Sequence, residues 1–503
     1  MVVLNPTSVL GPPLPLLTSL LGGVLILLLG FSSRRWVLGA AAIILSALNM
    51  LSTYLLYIEV MDAPGRVLLH PCLGGGPPLG GCFEIDVLGV WMTLCVSLIG
   101  FLVILYSIRY MEGDDRLAEF YSLILLLMAG MTGVVLAGDL FTLFIFWELA
   151  CITSYVLVAF TKGRWASIEA AFKYLIMSST GSMLILLTMS FLYGMTGTLN
   201  LAYLSLSLKG SSMAPWLYMA LILIIVGFGI EAAIVPLHTW LPDAYSEAPY
   251  PISALLSGIH SEIGLYALCR LLFLLFDLDV FSALLSAFAI LTMTVGNIMA
   301  LLQDDIKRLL SYSCIAQIGY MLIGLAVGTM MGLTGTFSHI FNNLLMKGLA
   351  FLSAGVITYS TGKRSLKELR GVGRSMPLTT LMLAISFLGL MGVPTTNGFI
   401  SKFLYLFRST FEAGMAWLGV IGIANSVFSV AYYLRVLRFL LIEGDKAKLD
   451  VRPPPSLFIP MLIMAFLVIL FGVWPTPVIR LSTLAARSVL ELENYIRVIL
   501  EVR

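Results

Sequence analysis

The 503-residue chain is 59% hydrophobic and only 11% charged, with a mean hydropathy of +1.00. This composition excludes a soluble globular domain, and the apolar runs repeatedly reach the roughly 20 residues needed to cross the hydrocarbon core of a bilayer. The formal net charge of +2 identifies no class of partner, because the positions of the charges carry more information than their sum.

The apolar runs predict an all-α polytopic membrane protein with about fourteen transmembrane helices. The predicted spans are 8–30, 36–58, 87–108, 118–138, 139–160, 167–192, 214–240, 250–275, 280–302, 307–328, 333–360, 376–410, 414–440 and 456–475. Basic residues collect on one side of a membrane. One set of alternate loops holds 18 of the 29 Lys and Arg residues and the other set holds 7. This asymmetry favours fourteen spans with both termini outside.

No soluble domain or linker interrupts the spans, so residues 1–503 are predicted to form one integral membrane domain with an extramembrane C-terminal segment, 476–503. The first apolar run lacks the basic region and cleavage site of a signal peptide, which favours its retention as a span. The predicted outer loop 59–86 contains Cys72 and Cys82. Their spacing is compatible with a disulfide or with two unpaired cysteines. The other four cysteines lack metal-ligand spacing.

Two predicted spans contain helix breakers. The seventh contains Gly227, Gly229, Pro236 and Pro242, and the twelfth contains the sequence Gly-Val-Pro-Thr-Thr-Asn-Gly at 392–398. Broken helices at corresponding positions of two halves are typical of inverted-repeat transporters, with the ion site at the breaks. We therefore predict two inverted five-helix repeats, at 118–275 and 280–440, with helices 7 and 12 broken.

Charged residues fall near the middle of five different spans: Glu148, Glu231, Glu262, Lys347 and Lys402. A charge at the bilayer centre costs about 2.5–3.5 kcal/mol on insertion scales and usually faces a protein-lined interior. Because irregular backbone is tolerated only where protein or water covers it, Glu231 and Lys402 are expected to lie beside water at the two breaks. The pattern indicates a protein that moves ions.

Each of these residues also has a structural interpretation. Glu148 could pair with a buried cation, and Asp139 at the start of the same span is expected to cap a helix. His339, Asn343 and Lys347 form one stripe at i, i+4 and i+8. Such a stripe can pass protons or can simply hydrogen-bond neighbouring helices.

Four basic residues can be interpreted from their positions within the predicted spans. Lys402 lies too far from either end of its span to snorkel easily, which favours the ion path. Lys173 fits the ion path or a plain i,i+4 pair with Glu169. His238 fits a channel entrance or local hydrogen bonding, and Arg270 is expected to snorkel to the outer interface.

The sequence resembles the antiporter-like, proton-translocating subunits shared by respiratory complex I, multisubunit sodium/proton antiporters and membrane-bound hydrogenases. The resemblance covers nearly the whole chain and is most specific at four stretches: 146–148, 236–258, 307–320 and 392–402. It implies that Glu148 is the fifth-span glutamate, that Lys402 is the twelfth-span ionisable residue, and that Lys347 and His339 are the central pair. Asn343 stands where many members carry a second histidine.

Three positions depart from the family pattern. Glu231 replaces the usual seventh-span lysine, Glu262 replaces the usual eighth-span lysine or histidine, and Tyr245 replaces a common histidine. Glu148 and Glu231 would then form a like-charge pair instead of an ion pair. Such a pair could share a proton or coordinate Na⁺, or it could mark a subunit in which pumping is lost or rewired.

The sequence therefore predicts a subunit that translocates H⁺ or Na⁺, within a redox-driven or antiporter complex in a prokaryotic plasma membrane. A hydrogenase- or sulfur-reductase-like or complex I-like assembly would place the redox cofactors on partner subunits, which would include further antiporter-like subunits. No phosphate loop, zinc signature or triad pattern indicates catalysis, a cofactor or a metal in this chain, and no nucleic-acid partner is expected. The alternatives are a non-pumping spacer and a quinone-reducing subunit.

Overall fold

The computed structural model describes residues 13–31, 34–71, 81–161, 163–208, 215–441 and 452–501. Within these ranges, eleven helices are long and apolar enough to cross a membrane. Three shorter apolar helices, Leu14–Gly30, Pro215–Glu231 and Pro377–Met391, occupy the remaining predicted spans. The all-α polytopic fold is confirmed, whereas the number of crossings and the side on which the termini lie stay predictions.

The helices are numbered in chain order. Those of the first half are α1 (Leu14–Gly30), α2 (Arg35–Asp62), α3 (Val87–Tyr110), α4 (Leu117–Leu136), α5 (Leu140–Val158), α6 (Trp165–Thr196), α7 (Leu201–Leu208), α8 (Pro215–Glu231), α9 (Trp240–Glu247), α10 (Tyr250–Leu255) and α11 (Ser261–Leu275). Those of the second half are α12 (Leu278–Leu301), α13 (Ile306–Val327), α14 (Met330–Thr361), α15 (Val372–Ser375), α16 (Pro377–Met391), α17 (Asn397–Phe399), α18 (Arg408–Glu412), α19 (Ala416–Leu441), α20 (Phe458–Val473), α21 (Thr476–Leu490) and α22 (Leu492–Glu501).

A β-hairpin that the sequence did not predict lies in the loop between α2 and α3. Strands β1 (Val67–Pro71) and β2 (Cys82–Asp86) pair antiparallel. We call the end of the helix bundle that carries this hairpin the hairpin side. Cys72 lies outside the described residues, so a disulfide to Cys82 stays a prediction.

Both predicted helix breaks are present. Helix α8 ends at Glu231, and the chain turns through 232–239 before α9 begins. Helix α16 ends at Met391, where Gly392 has a φ of 80° and closes the helix in the left-handed conformation that glycine adopts most readily. The break residues named from the sequence therefore end helices as expected, and they place Glu231 and Lys402 next to irregular backbone.

Two π-helical segments, Leu256–His260 and Ile400–Phe407, were not predicted. The first joins α10 to α11, and the second joins α17 to α18 and contains Lys402. Short π segments within helices often occur at functional sites, because the extra residue re-aims the side chains around it. Here they lie directly beside Glu262 and around Lys402.

The predicted repeats correspond to α4–α11 and α12–α19. In each of them the fourth membrane segment is the interrupted one, namely α8–α9 in the first and α16–α18 in the second. This element order is the one that the inverted repeats require, and the repeats themselves stay a prediction.

The prediction that Arg270 snorkels is wrong. Arg270 is 3% exposed, and its guanidinium donates to Asp86 Oδ2 at 2.5 Å. The same guanidinium lies 4.6 Å from the centre of the Tyr495 ring. No sequence pattern indicated that strand β2 and helix α22 would cover this end of α11. Arg270 is buried beneath them and is neutralised by Asp86 instead of reaching the membrane interface.

The Arg270–Asp86 ion pair is predicted to be essential for the stability of the hairpin side. Asp86→Asn should destabilise the protein by about 3–5 kcal/mol, because it leaves a buried guanidinium without its counter-charge. Thermal unfolding of the purified protein measures this change. Glu412→Gln removes an exposed pair with Arg408 and should cost about 0.5 kcal/mol or less. Equal effects of the two substitutions would contradict the prediction.

Candidate functional site

Two glutamates lie side by side against α6. The hydroxyl of Ser178 donates to Glu231 Oε1, and the hydroxyl of Ser182 donates to Glu148 Oε1. The two serines are four residues apart on α6, so the two carboxylates lie about one helical turn apart along that helix. Glu231 is fully buried. The two acids interact electrostatically, which is the like-charge arrangement that the sequence implied.

Two groups of hydrogen-bonded side chains lie on consecutive turns of α6, one around Glu231 and the other around the buried His260. Cys151 Sγ lies 3.4 Å from the Ser178 hydroxyl and 3.9 Å from Glu231 Oε2. One turn earlier on α6, the Tyr174 hydroxyl lies 2.6 Å from His260 Nε2. The sequence analysis missed this group of residues. The four-residue spacing of Tyr174, Ser178 and Ser182 is the signal that could have found it.

The predicted stripe on α14 is fully buried and connects to both of its neighbours. His339 lies 2.9 Å from the Ser401 hydroxyl through Nδ1 and 3.0 Å from Gln317 Oε1 through Nε2. The Asn343 amide donates to Glu262 Oε1 at 2.7 Å. Lys347 donates to the Ser313 hydroxyl. The stripe thus joins the eighth-span acid Glu262 to the π segment that carries Lys402.

Lys402 is held by neutral groups only, among the residues that the structure describes. Its ammonium donates to the Ser426 hydroxyl at 2.7 Å and to the Leu390 carbonyl at 3.2 Å. It also lies 4.1 Å from the centre of the Tyr320 ring, a distance typical of a cation–π contact. The residue is fully buried. Its surroundings can hold either a charged or a neutral lysine.

Helix α11, which carries Glu262, crosses α8 near the end that carries Glu231. A Cβ atom added to Gly264 would lie 2.9 Å from the backbone nitrogen of Ala232, so the helices touch through their backbones beside Glu231. Tyr245 donates to or accepts from Ser261 at 2.6 Å and interacts electrostatically with both Glu231 and Glu262. Tyr245 is therefore close enough to interact with both glutamates.

Five ionisable residues, of which Glu148 is partly buried and the other four are buried, form a row across the bundle. Neighbouring members interact electrostatically: Glu148 with Glu231, Glu262 with Lys347, and Lys347 with Lys402. Each member sits on a different helical segment, as the sequence predicted. Carboxylates, hydroxyls, an amide, an imidazole and two amines follow one another, and these are groups that can take up and release protons or hydrogen-bond their carriers.

Two candidate residues lie outside this row. Lys173 is half exposed and pairs with Glu169 at 2.8 Å and with Asp243 at 3.1 Å, at the side opposite the hairpin. This geometry matches the surface-pair interpretation of Lys173. His238 is partly buried in the turn after α8, and its role as a channel entrance stays a prediction. Asp139 caps α5 by accepting from the Thr142 backbone nitrogen at 2.8 Å, as expected.

The described residues contain no group of three or more His, Cys, Asp or Glu side chains that could hold a metal ion. The two carboxylates at α6 are accompanied by serine hydroxyls, a thiol and an indole ring. Among these groups, the two serine hydroxyls donate one hydrogen bond to each carboxylate.

The chain matches known membrane subunits in sequence and structure. Residues 137–429 match the family described as NADH:quinone oxidoreductase/Mrp antiporter, TM, and residues 79–121 match NADH-Ubiquinone oxidoreductase (complex I), chain 5 N-terminus. It is 33% identical to NADH-quinone oxidoreductase subunit N of Desulforudis audaxviator, over 93% of this chain and 95% of that protein. It is 34% identical to F(420)H(2) dehydrogenase subunit N of Methanosarcina mazei, over 80% and 84% respectively.

Solved structures show the same fold. A chain of the membrane-bound sulfane sulfur reductase, an archaeal respiratory membrane complex, superimposes with a TM-score of 0.89 at 30% identity, covering 96% of this chain and 98% of that one. A chain of the Mrp complex from Dietzia sp. DQ12-45-1b superimposes with a TM-score of 0.88 at 24% identity, covering 97% and 100%. The second likeness concerns the fold alone.

The hydrogen bond from Ser178 on α6 to Glu231 yields a stability prediction. Ser178→Ala removes the hydroxyl that donates to the buried Glu231 carboxylate, and an unsatisfied buried group costs about 1–3 kcal/mol. Thermal unfolding of the purified protein measures this loss. Thr180→Ala is the control on the same helix, since the Thr180 hydroxyl bonds only the backbone of its own helix at an exposed position. A Ser178→Ala protein as stable as this control would contradict the described contact.

Proposed function

The chain belongs to the NADH:quinone oxidoreductase/Mrp antiporter family of membrane subunits, and from this premise we propose that it translocates ions across the membrane as part of a larger complex. Its partners in this proposal are other membrane subunits, including further antiporter-like ones. Redox cofactors reside on partner subunits, and this chain supplies the track for the ion. The complex lies in a prokaryotic plasma membrane, with the hairpin side facing outward as the distribution of basic residues predicts.

One observation carries the proposal: five ionisable residues on five different membrane segments lie along one line through the bundle, four of them buried and Glu148 partly buried. Each would cost about 2.5–3.5 kcal/mol at the bilayer centre. A bundle that needed only stability would gain from apolar residues at these positions, because buried charges rarely repay their desolvation. Retaining all five, with neighbouring members close enough to interact electrostatically, is the pattern expected of an ion path.

The geometry suggests a sequence of proton positions. In this path Glu231 carries a proton beside Glu148, whose carboxylate lies about one helical turn away along α6. Glu262 and Asn343 lead to the α14 stripe, and His339 leads through Ser401 to the segment of Lys402. The two helix breaks adjoin the two ends of this row, and irregular backbone at membrane depth is tolerated where it lines a water-filled cavity.

The relatives favour a redox-driven, complex I-like assembly. Two of them are named as subunits of NADH-quinone oxidoreductase and F(420)H(2) dehydrogenase, and a structural relative at 30% identity comes from a sulfur-reducing respiratory complex. We propose H⁺ as the transported ion, because the polar groups that lie between and around the members of the row are hydroxyls, an amide and an imidazole. The Glu148–Glu231 pair is the position at which Na⁺ would bind instead.

Ion transport should depend on both ends of the row. Glu148→Gln and Lys402→Met each remove an ionisable group while preserving volume, and each should lower substrate-driven H⁺ uptake into vesicles by at least about tenfold, in line with the loss of an essential proton carrier. Measurements with H⁺- and Na⁺-sensitive probes would identify the ion. Lys367→Met alters an exposed lysine and serves as the control. Undiminished transport by either variant in an intact complex would contradict the proposal.

The alternative is a non-pumping spacer subunit, which the replacement of the usual lysine by Glu231 favours. In a spacer, Glu231→Gln and Glu262→Gln would leave ion uptake unchanged. In the proposed path they would lower it, because glutamine cannot exchange a proton in the row. Uptake by these two variants, compared with that by the Lys367→Met control, separates the two functions.

A further inference from the structure

A buried carboxyl group outside the membrane segments lies at the hairpin side and takes no part in the row described above. Glu84 on β2 is 1% exposed. Its Oε1 atom accepts from the Asn200 amide at 2.7 Å and from the Cys82 thiol at 3.3 Å, and its Oε2 atom accepts from the Tyr495 hydroxyl. All three donors are neutral, so the group is enclosed by hydrogen bonds without a direct counter-charge.

The neighbouring acids are held differently. Asp86 forms an ion pair with Arg270 at 2.5 Å, and Asp139 caps α5 while accepting from the Cys82 backbone nitrogen at 3.1 Å. No cationic side chain of the described part of the chain forms an ion pair with Glu84. Among these three acids, Glu84 is therefore the one whose surroundings suit a neutral as well as a charged carboxyl.

A cavity lies beside the residue that donates to this carboxyl. It has a volume of about 370 Å³, and its wall includes Arg66, Asp86, Arg487, Glu491, Asn494 and Tyr495. Glu84 is not part of this wall, but the Tyr495 hydroxyl donates to Glu84 Oε2. A phenol both donates and accepts hydrogen bonds, so Tyr495 is the residue that could pass a proton between the cavity wall and Glu84.

The same cluster touches the helix that carries a central acid. Glu262, Tyr266 and Arg270 lie at i, i+4 and i+8 on α11 and are all buried, so they share one face of the helix. Arg270 interacts electrostatically with Glu84 and covers the Tyr495 ring. A change of charge at Glu84 thus acts on the Arg270 guanidinium. Glu262 lies on the same face of α11, two turns away.

We propose that Glu84 is a proton-exchange site through which the ion path communicates with the hairpin side, with Tyr495 as its link to the cavity and Arg270 as its link to α11. This inference rests on the proposed function. Glu84 is the acid that exchanges protons, and Arg270 and Tyr495 are positioning residues. The proton passes between the carboxyl of Glu84 and the cavity without any other covalent change.

Burial raises the pKa of Glu84 to about 7, against the lowering effects of its three hydrogen-bond donors and of Arg270. Below this pH on the hairpin side the carboxyl is mostly protonated, and above it the carboxyl is mostly charged and able to accept a proton. The charged fraction rises from about one tenth at pH 6 to about nine tenths at pH 8. Proton delivery to the hairpin side should therefore rise by up to about ninefold over that interval.

The test uses the intact complex in vesicles, with the pH of each compartment varied separately and H⁺ transport measured with a pH-sensitive dye. The unaltered complex should show the rise when the hairpin-side pH changes from 6 to 8. Glu84→Gln should abolish the rise, because the amide mimics the protonated form at every pH. Glu84→Asp should restore a pH-dependent step, and Tyr495→Phe should slow transport at all pH values while retaining the ring under Arg270.

Glu491→Gln is the matched control, since this glutamate lines the same cavity and pairs with Arg487 at the surface; it should retain the step. A step of unchanged size in Glu84→Gln would overturn the inference. If the variants fail to assemble, an unaltered complex that transports H⁺ with no step near pH 7 on the hairpin side would overturn it as well. Absence of any transport by the unaltered complex would instead contradict the proposed function.

Discussion

An ionisable side chain inside an apolar helix bundle is stable only if polar partners replace the water it has lost. This constraint shapes the interior of the protein. The serines of α6 supply donors to Glu148 and Glu231, Asn343 supplies one to Glu262, and Ser426 accepts from Lys402. The helix breaks and π segments lie next to these ionisable residues. A regular helix pairs its backbone polar groups within itself, whereas an irregular segment leaves some of them available as partners.

Glu231 stands where the family resemblance implies a lysine, and this changes the chemistry of the first half of the proposed path. A lysine there would form an ion pair with Glu148, whereas Glu231 places a second carboxylate on the next turn of α6. Tyr245 and Glu262 extend this acidic region toward Lys347. The first half of the row is therefore acidic, whereas the second half contains the two lysines, Lys347 and Lys402.

Much of this arrangement was predictable from sequence, because membrane depth limits where charges can lie. The positions of Glu148, Glu262, Lys347 and Lys402 in separate spans, and both helix breaks, followed from apolar runs, glycines and prolines. The hairpin, the π segments and the burial of Arg270 were not predictable, because they depend on contacts between residues distant in the chain. Arg270 is covered by Tyr495, more than 200 positions later, and no local pattern encodes that contact.

The central claim is that the acids at α6 change protonation while the ion moves. Infrared difference spectroscopy of the intact complex in vesicles, with and without electron-donating substrate, measures carboxyl protonation directly. The proposed path predicts a carboxylic C=O band that appears or disappears during turnover, shifts in D₂O and is lost in Glu231→Gln. Sustained ion transport with no change in any carboxyl band, or with a band that Glu231→Gln leaves intact, would contradict it.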